Sequence, residues 1–109
     1  MESEYLILAI NVRSSRTPSC MWMAADRIEY VADINRAGRF GAADVNAAST
    51  FLDNGLSTVA VDLTDVLAAA VPMSAVDLDA PADSLAVPLD SPLRARILAR
   101  RNQIMADMR

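Results

Sequence analysis

Two carboxylates one residue apart, Asp77-Leu78-Asp79, are the residues best spaced for chemistry. On a strand that spacing puts both on one side, where they could hold Mg²⁺ or Mn²⁺. An exposed edge strand gives the same alternation, and no nucleotide-binding motif stands nearby. Histidine is absent, which removes serine–histidine and cysteine–histidine nucleophile pairs and the usual zinc sets. Cys20 is the single cysteine, with Arg13 and Arg16 in sequence reach to lower its pKa. A lone cysteine beside an apolar strand is more often structural. Gly38 and Gly41 are followed by no Lys-Ser/Thr pair, so there is no phosphate loop. Asp26 and Glu29 flank Arg27 in a turn and read as a surface ion pair. The inventory points away from an enzyme. It assigns no catalytic residue, cofactor or metal, and leaves a metal-dependent activity at Asp77 and Asp79 as a weak alternative.

Charge placement says more than charge content. The net charge is -4, and all ten basic residues are arginines. No basic residue lies between Gly41 and Leu93, where eight aspartates stand: Asp44, Asp53, Asp62, Asp65, Asp77, Asp79, Asp83 and Asp90. Such segregation implies internal complementarity, or an acidic face meant for a basic partner. Asp44, Asp53 and Asp62 also suit helix ends and turns. A sequence pI near 4.6 and the lack of aromatic–basic interleaving argue against direct nucleic-acid binding.

These residues need a scaffold, and 109 residues make one domain with a real core. Hydrophobic residues are 53% of the chain, but 20 are alanines and aromatics are only 5%, so the core is aliphatic and small. Tyr5–Val12 is an apolar run of strand length, read as a central strand buried on both faces. Met21–Ala32 holds a hairpin candidate, with strands at 21–23 and 28–31 and a turn at Ala25-Asp26 or Asp26-Arg27. Gly38 and Gly41 bracket a turn, where glycine accepts positive φ. Ala42–Asp53 reads as one helix with Val45, Ala48, Phe51 and Leu52 on its apolar side. Asn54-Gly55 stops it, and Ser57–Val61 is a strand. Leu63–Val71 is a second helix, capped by Asp62 or Thr64, with Leu63, Val66, Leu67 and Ala70 buried and Pro72 ending it. Met73–Pro88 is an edge hairpin turning at 80–82, or an extended arm. Ser91 caps a long helix that opens on Pro92 and runs to Met108. Leu93, Ile97, Leu98, Ile104, Met105 and Met108 share its apolar face. Arg94 and Arg101 fall within that arc, and Arg96 and Arg100 on the polar side.

The expected fold class is therefore α+β: a small antiparallel sheet of roughly three to five strands, packed by two short helices and a long C-terminal helix. The core spans 5–71, the acidic arm 72–90 and the amphipathic helix 91–108. No run of about 18 apolar residues exists, so no membrane helix is expected. An acidic Met1-Glu2-Ser3-Glu4 is unlike a signal peptide, and the single cysteine suits a reducing, cytoplasmic setting.

The order Trp22, Tyr30, Ala37-Gly38-Arg39-Phe40, Val45, Asn54-Gly55 and Val59-Ala60-Val61 resembles a group of small uncharacterised proteins of bacteria, phages and mobile elements. The pattern of that group is a tryptophan strand, an Ala-Gly-Arg-aromatic turn, a helix ending in Asn-Gly, and an Ala-Val strand. It covers 5–71 here and departs at Phe51-Leu52, where paired aromatics are expected. The resemblance implies a compact α+β fold, no catalytic residues, and a phage or mobile-element protein that acts by binding. The expected function is a non-enzymatic inhibitor of a host protein or nucleoprotein complex, in its sharpest form of anti-CRISPR type. Its acidic face would be Asp77, Asp79, Asp83 and Asp90, set where phosphates would sit on a basic effector. The alternative is a homodimeric adaptor using Arg94, Ile97, Arg101, Ile104 and Met108 of the C-terminal helix.

Overall fold

The computed structural model describes residues 3–13, 18–55 and 57–107. Met108 and Arg16, invoked above, lie outside the described residues.

The fold is mixed α+β, built on a five-stranded antiparallel sheet. Its central strand is β1 (Glu4–Ala9). Along one edge β1 pairs with β5 (Thr58–Asp62) over its whole length, from Tyr5↔Asp62 to Ala9↔Thr58. Its other edge is shared. The first half pairs with β4 (Phe40–Gly41) at Glu4 and Tyr5, and Leu8 pairs with Trp22 of β2 (Trp22–Met23). Outside β2 lies β3 (Tyr30–Val31).

Alternation along β1 explains the two cores. Leu6, Leu8 and Ile10 point to one face, where they meet Trp22, Ile34, Val61, Val66, Val87 and Leu93. Ile7 points to the other, against Met23, Phe40, Val45 and Leu52. Both faces of the sheet are covered, so the strand reads as an unbroken apolar run.

The hairpin forms with a wider loop than a two-residue turn. Arg27 takes φ 62°, and the Asp26 carboxylate accepts from the N–H groups of Ile28 (2.8 Å) and Glu29 (3.1 Å). Those two bonds hold the Asp26 carboxyl below its usual range. The expected ion pair around Arg27 is not formed. Asp26 is bound to backbone, and the Arg27 guanidinium lies over the Phe40 ring, 5.4 Å from its centroid.

Gly38 is needed for space, not for positive φ. A Cβ there would lie 2.7 Å from the backbone nitrogen of Ala25 and 2.8 Å from its Cα. The Gly38 N–H donates to Met23 C=O at 3.0 Å, tying the run into β4 against the hairpin. Gly41 sits at φ -79°, and among the glycines only Gly55 is left-handed, at φ 75°.

The single helix expected over 42–53 is two: α1 (Ala42–Ala47) and α2 (Ser49–Leu52), offset at Ala48 with φ -125° and ψ 35°. The offset re-aims the last turn towards β5. Thr58 Oγ1 donates to Phe51 C=O at 2.9 Å, and the Asp53 carboxylate accepts from Ala60 N–H at 3.1 Å. Leu52 is buried as expected, but Phe51 is 75% exposed. In α3 (Leu63–Ala69), Asp62 accepts from Thr64 N–H at 2.8 Å and Val66 is buried, whereas Leu67 is 47% exposed. α3 stops at Ala69 because the residues before Pro72 turn extended, with Ala70 at ψ 142°.

After α3, β6 (Val71–Pro72) pairs with β7 (Leu85–Ala86). The chain beyond β7 pairs alongside 18–20: Cys20 N–H donates to Val87 C=O at 2.8 Å and Leu89 N–H to Pro18 C=O at 3.2 Å. The long helix α4 (Pro92–Asp107) starts at Ser91, whose Oγ accepts from Leu93 N–H at 3.2 Å. Leu93 is buried in the first core, and Ile97 and Leu98 pack against it.

Candidate functional site

Residues 73–84 form a loop between β6 and β7. These residues are neither the paired strands of the expected edge hairpin nor an extended arm, and only Leu85–Ala86 of the 73–88 stretch is strand. Met73 is buried and anchors the loop, and Met73–Ala75 is a short 3-10 turn. Met73 N–H donates to Ser84 C=O at 2.9 Å, closing the base. Within the loop, Asp77 N–H returns to Met73 C=O (2.9 Å), Ala80 N–H to Asp77 C=O (3.1 Å), and Ser84 Oγ to Pro81 C=O (2.6 Å). From outside, Asn35 Nδ2 donates to Asp83 C=O at 2.9 Å, while the Asp33 carboxylate accepts from Leu85 N–H at 3.3 Å and from Asn35 N–H at 3.0 Å. The loop is held by its own turns and by the 33–35 segment.

This geometry corrects the paired-carboxylate reading. Asp77 and Asp79 do not lie side by side on a strand. The Asp77 carboxylate accepts from Asp79 N–H at 3.1 Å, closing a turn. No group of three or more His, Cys, Asp and Glu side chains is placed to hold a metal among the described residues. Between the two aspartates Leu78 is 94% exposed. Asp79 and Asp83 are exposed and make no ion pair among the described residues.

Asp90 does not join them. The loop leaves β6 and β7 at one end, and Asp90 lies beyond the Ser19–Pro88 bridge at the other. It stands one residue before the cap of α4, where the helix dipole favours a carboxylate.

A concavity runs between β5 and α4, about 350 Å³ in volume. Val59, Val61, Ile97 and Ile104 line it, with Arg96, Arg100 and Arg101 from α4 and Asp53, Asp62 and Asp65 from the opposite side. Part of the segregated charge is thus complementary within the chain. Two of these carboxylates already have backbone donors: Asp53 takes Ala60 N–H and Asp62 takes Thr64 N–H. Arg96 and Arg100 are exposed, with no ion pair among the described residues.

The residues expected on the helix face divide by position. Ile97 packs on the first core, and Arg94 Nη1 donates to Leu89 C=O at 3.3 Å. Ile104 lies over the turn before β5, where a Cβ on Gly55 would come within 2.9 Å of its Cδ1. Arg101 lines the groove. The first half of the apolar stripe is therefore covered by the chain itself, and Met105 beyond it is exposed.

Another concavity, about 450 Å³, lies on the other sheet face between Met23, Arg27, Tyr30, Phe51 and Thr58. The sequence reading placed Phe51 inside and so missed it. Cys20 is buried, its Sγ 3.9 Å from Pro88 C=O. Burial pushes its thiol up to about 11, against a smaller opposing pull from Arg94. A thiol raised in this way stays protonated at neutral pH. Among the described residues, no helix is long and apolar enough to cross a membrane.

No family model matches the chain, and no match was found among curated proteins or among solved structures.

Proposed function

We propose that the protein acts by binding, and that residues 73–84 form its contact with a basic, nucleic-acid-binding protein surface. One observation carries this reading. The loop is hydrogen-bonded into shape, yet its display is unpartnered: a leucine 94% exposed, with Asp79 and Asp83 exposed near it. A loop ordered before binding loses little conformational freedom on docking. An exposed leucine with two exposed carboxylates on the same loop suits a contact whose centre is apolar and whose rim is charged. Carboxylates spaced along a loop can take the positions of phosphates in a basic channel. An inhibitor of a host nucleoprotein complex is the specific form of this reading. Asp90, one residue before the cap of α4, is left out of the proposed contact.

The test is competition. Host proteins eluted from immobilised duplex DNA supply the basic fraction, and the tagged chain is the bait. The chain should retain proteins from that fraction, and free duplex DNA should release them. Asp79→Arg with Asp83→Arg should abolish retention, while Asp90→Arg should leave it unchanged. Retention that ignores both free DNA and the double reversal would sink the reading.

A further inference from the structure

The acidic loop and the α4 wall of the β5–α4 groove carry opposite charge, whereas the facing wall of that groove carries Asp53, Asp62 and Asp65. Asp79 and Asp83 carry no ion pair among the described residues, and neither do Arg96 and Arg100. Each surface also has an apolar element that the other lacks. The loop offers Leu78, almost wholly exposed, and the groove offers a floor of Val59, Val61, Ile97 and Ile104. We propose that residues 73–84 of one copy dock in the β5–α4 groove of a second copy. Leu78 then lies against that floor, with Asp79 and Asp83 beside Arg96 and Arg100.

The groove's own carboxylates, Asp53, Asp62 and Asp65, lie across from α4, so the incoming loop sits on the α4 wall. Those of Asp53 and Asp62 are held by backbone N–H donors at 3.1 and 2.8 Å. Arg96 and Arg100 stand one turn apart on α4, so both guanidinium groups can face one incoming loop. The other concavity, at Tyr30 and Phe51, is the poorer fit. Its one cation is Arg27, which already lies over the Phe40 ring. A loop-to-groove contact joins different patches, so it closes into a pair only if reciprocated, and otherwise grows head to tail. Association would cover the surface assigned above to a partner. The contact between copies does not depend on that assignment, because the purified chain alone reports it.

Sedimentation equilibrium of the purified chain is the measurement, with three variants. Wild type should show a mass above the 11.7 kDa of one chain, falling back to it as salt is raised. Leu78→Ser should weaken association at least about tenfold, the loss expected for one buried leucine. Asp79→Arg with Asp83→Arg sets arginine against arginine at the contact, and Arg96→Asp with Arg100→Asp sets aspartate against aspartate. Each should be a monomer alone. Mixed together they restore opposite signs at every contact, and association should return. Circular dichroism of each variant separates loss of association from loss of fold. A wild-type chain that stays monomeric up to about 1 mM, where even a weak contact of millimolar Kd is half occupied, overturns the proposal. Association that survives either charge reversal, or that the mixture does not restore, overturns it as well.

Discussion

Gly55 and Ile104 meet where the chain turns into β5, and substitution there reports whether the end of α4 docks on its own domain. Gly55→Ala adds two separable costs. The left-handed backbone, φ 75°, penalises a Cβ by about 1–2 kcal/mol. The new Cβ also lies 2.9 Å from Ile104 Cδ1, inside ordinary contact distance. Ile104 is the flexible end of a half-buried side chain, so rotation off its preferred conformer costs a further ~1 kcal/mol. Gly55→Ala should therefore lose ~2–3 kcal/mol. Gly55→Asn keeps the Cβ but tolerates the left-handed region, and should lose less. Ile104→Ala alone should lose ~1–2 kcal/mol, below a full core deletion because the residue is only half buried. With Gly55→Ala it removes the clash but not the φ cost, so the double variant should be ~1 kcal/mol more stable than the sum of the singles. Urea unfolding of the four proteins measures this cycle. Strict additivity would refute the docking of Ile104 on Gly55 and free the helix end for other contacts.

Gly38→Ala drives a Cβ into the backbone of Ala24 and Ala25 and should cost about 1–3 kcal/mol. Gly41→Ala meets only Asp44 Oδ2 at 3.8 Å and should cost less, which thermal unfolding of the pair would show. Cys20 should resist iodoacetamide in the native protein and react once unfolded. Burial holds its folded pKa at about 11, above the ordinary thiol value of 9.0, so the unfolded chain loses its proton first. That contribution to stability is intact below pH 9 and lost as pH rises from there towards 11, and Cys20→Ala should remove that part of the pH dependence.

The elements most legible in the sequence were those with a local cause. The apolar run of β1 needs two covered faces, Asn54-Gly55 needs a left-handed residue, and Ser91-Pro92 starts a helix wherever it occurs. The misreadings share a different cause. Phe51 and Leu52 are adjacent in an apolar stretch, and periodicity does not say which of the two meets the sheet. Gly38 looked like a turn glycine, whereas its reason is the backbone of Ala24 and Ala25, more than ten residues earlier in the chain. Asp77-Leu78-Asp79 alternates like a strand, but a carboxylate that can accept from the second N–H onward closes a turn just as well. The β5–α4 groove joins Asp53–Asp65 to Leu93–Ile104, so no local pattern announces it. Arg96 and Arg100 were placed correctly on the polar side of α4, but that side was not seen to face a groove.

The aspartates between Gly41 and Leu93 now divide by what they bind. Asp44, Asp53, Asp62 and Asp77 accept backbone N–H groups of Gly41, Ala60, Thr64 and Asp79, so they belong to the fold. Asp79 and Asp83 place their carboxylates in solvent and contribute nothing comparable to it. The two groups should therefore separate under reversal. Asp53→Arg with Asp62→Arg removes two backbone acceptors, one at the outer edge of β5 and one at the start of α3. It should cost ~2 kcal/mol, at ~1 kcal/mol for each lost acceptor. Asp79→Arg with Asp83→Arg should unfold within about 0.5 kcal/mol of wild type. Urea unfolding compares stability, and retention of the basic host fraction compares binding. A loop reversal that destabilises as much as the first pair would mean these carboxylates hold the structure together. The contact surface would then have to be sought at Tyr30 and Phe51 instead.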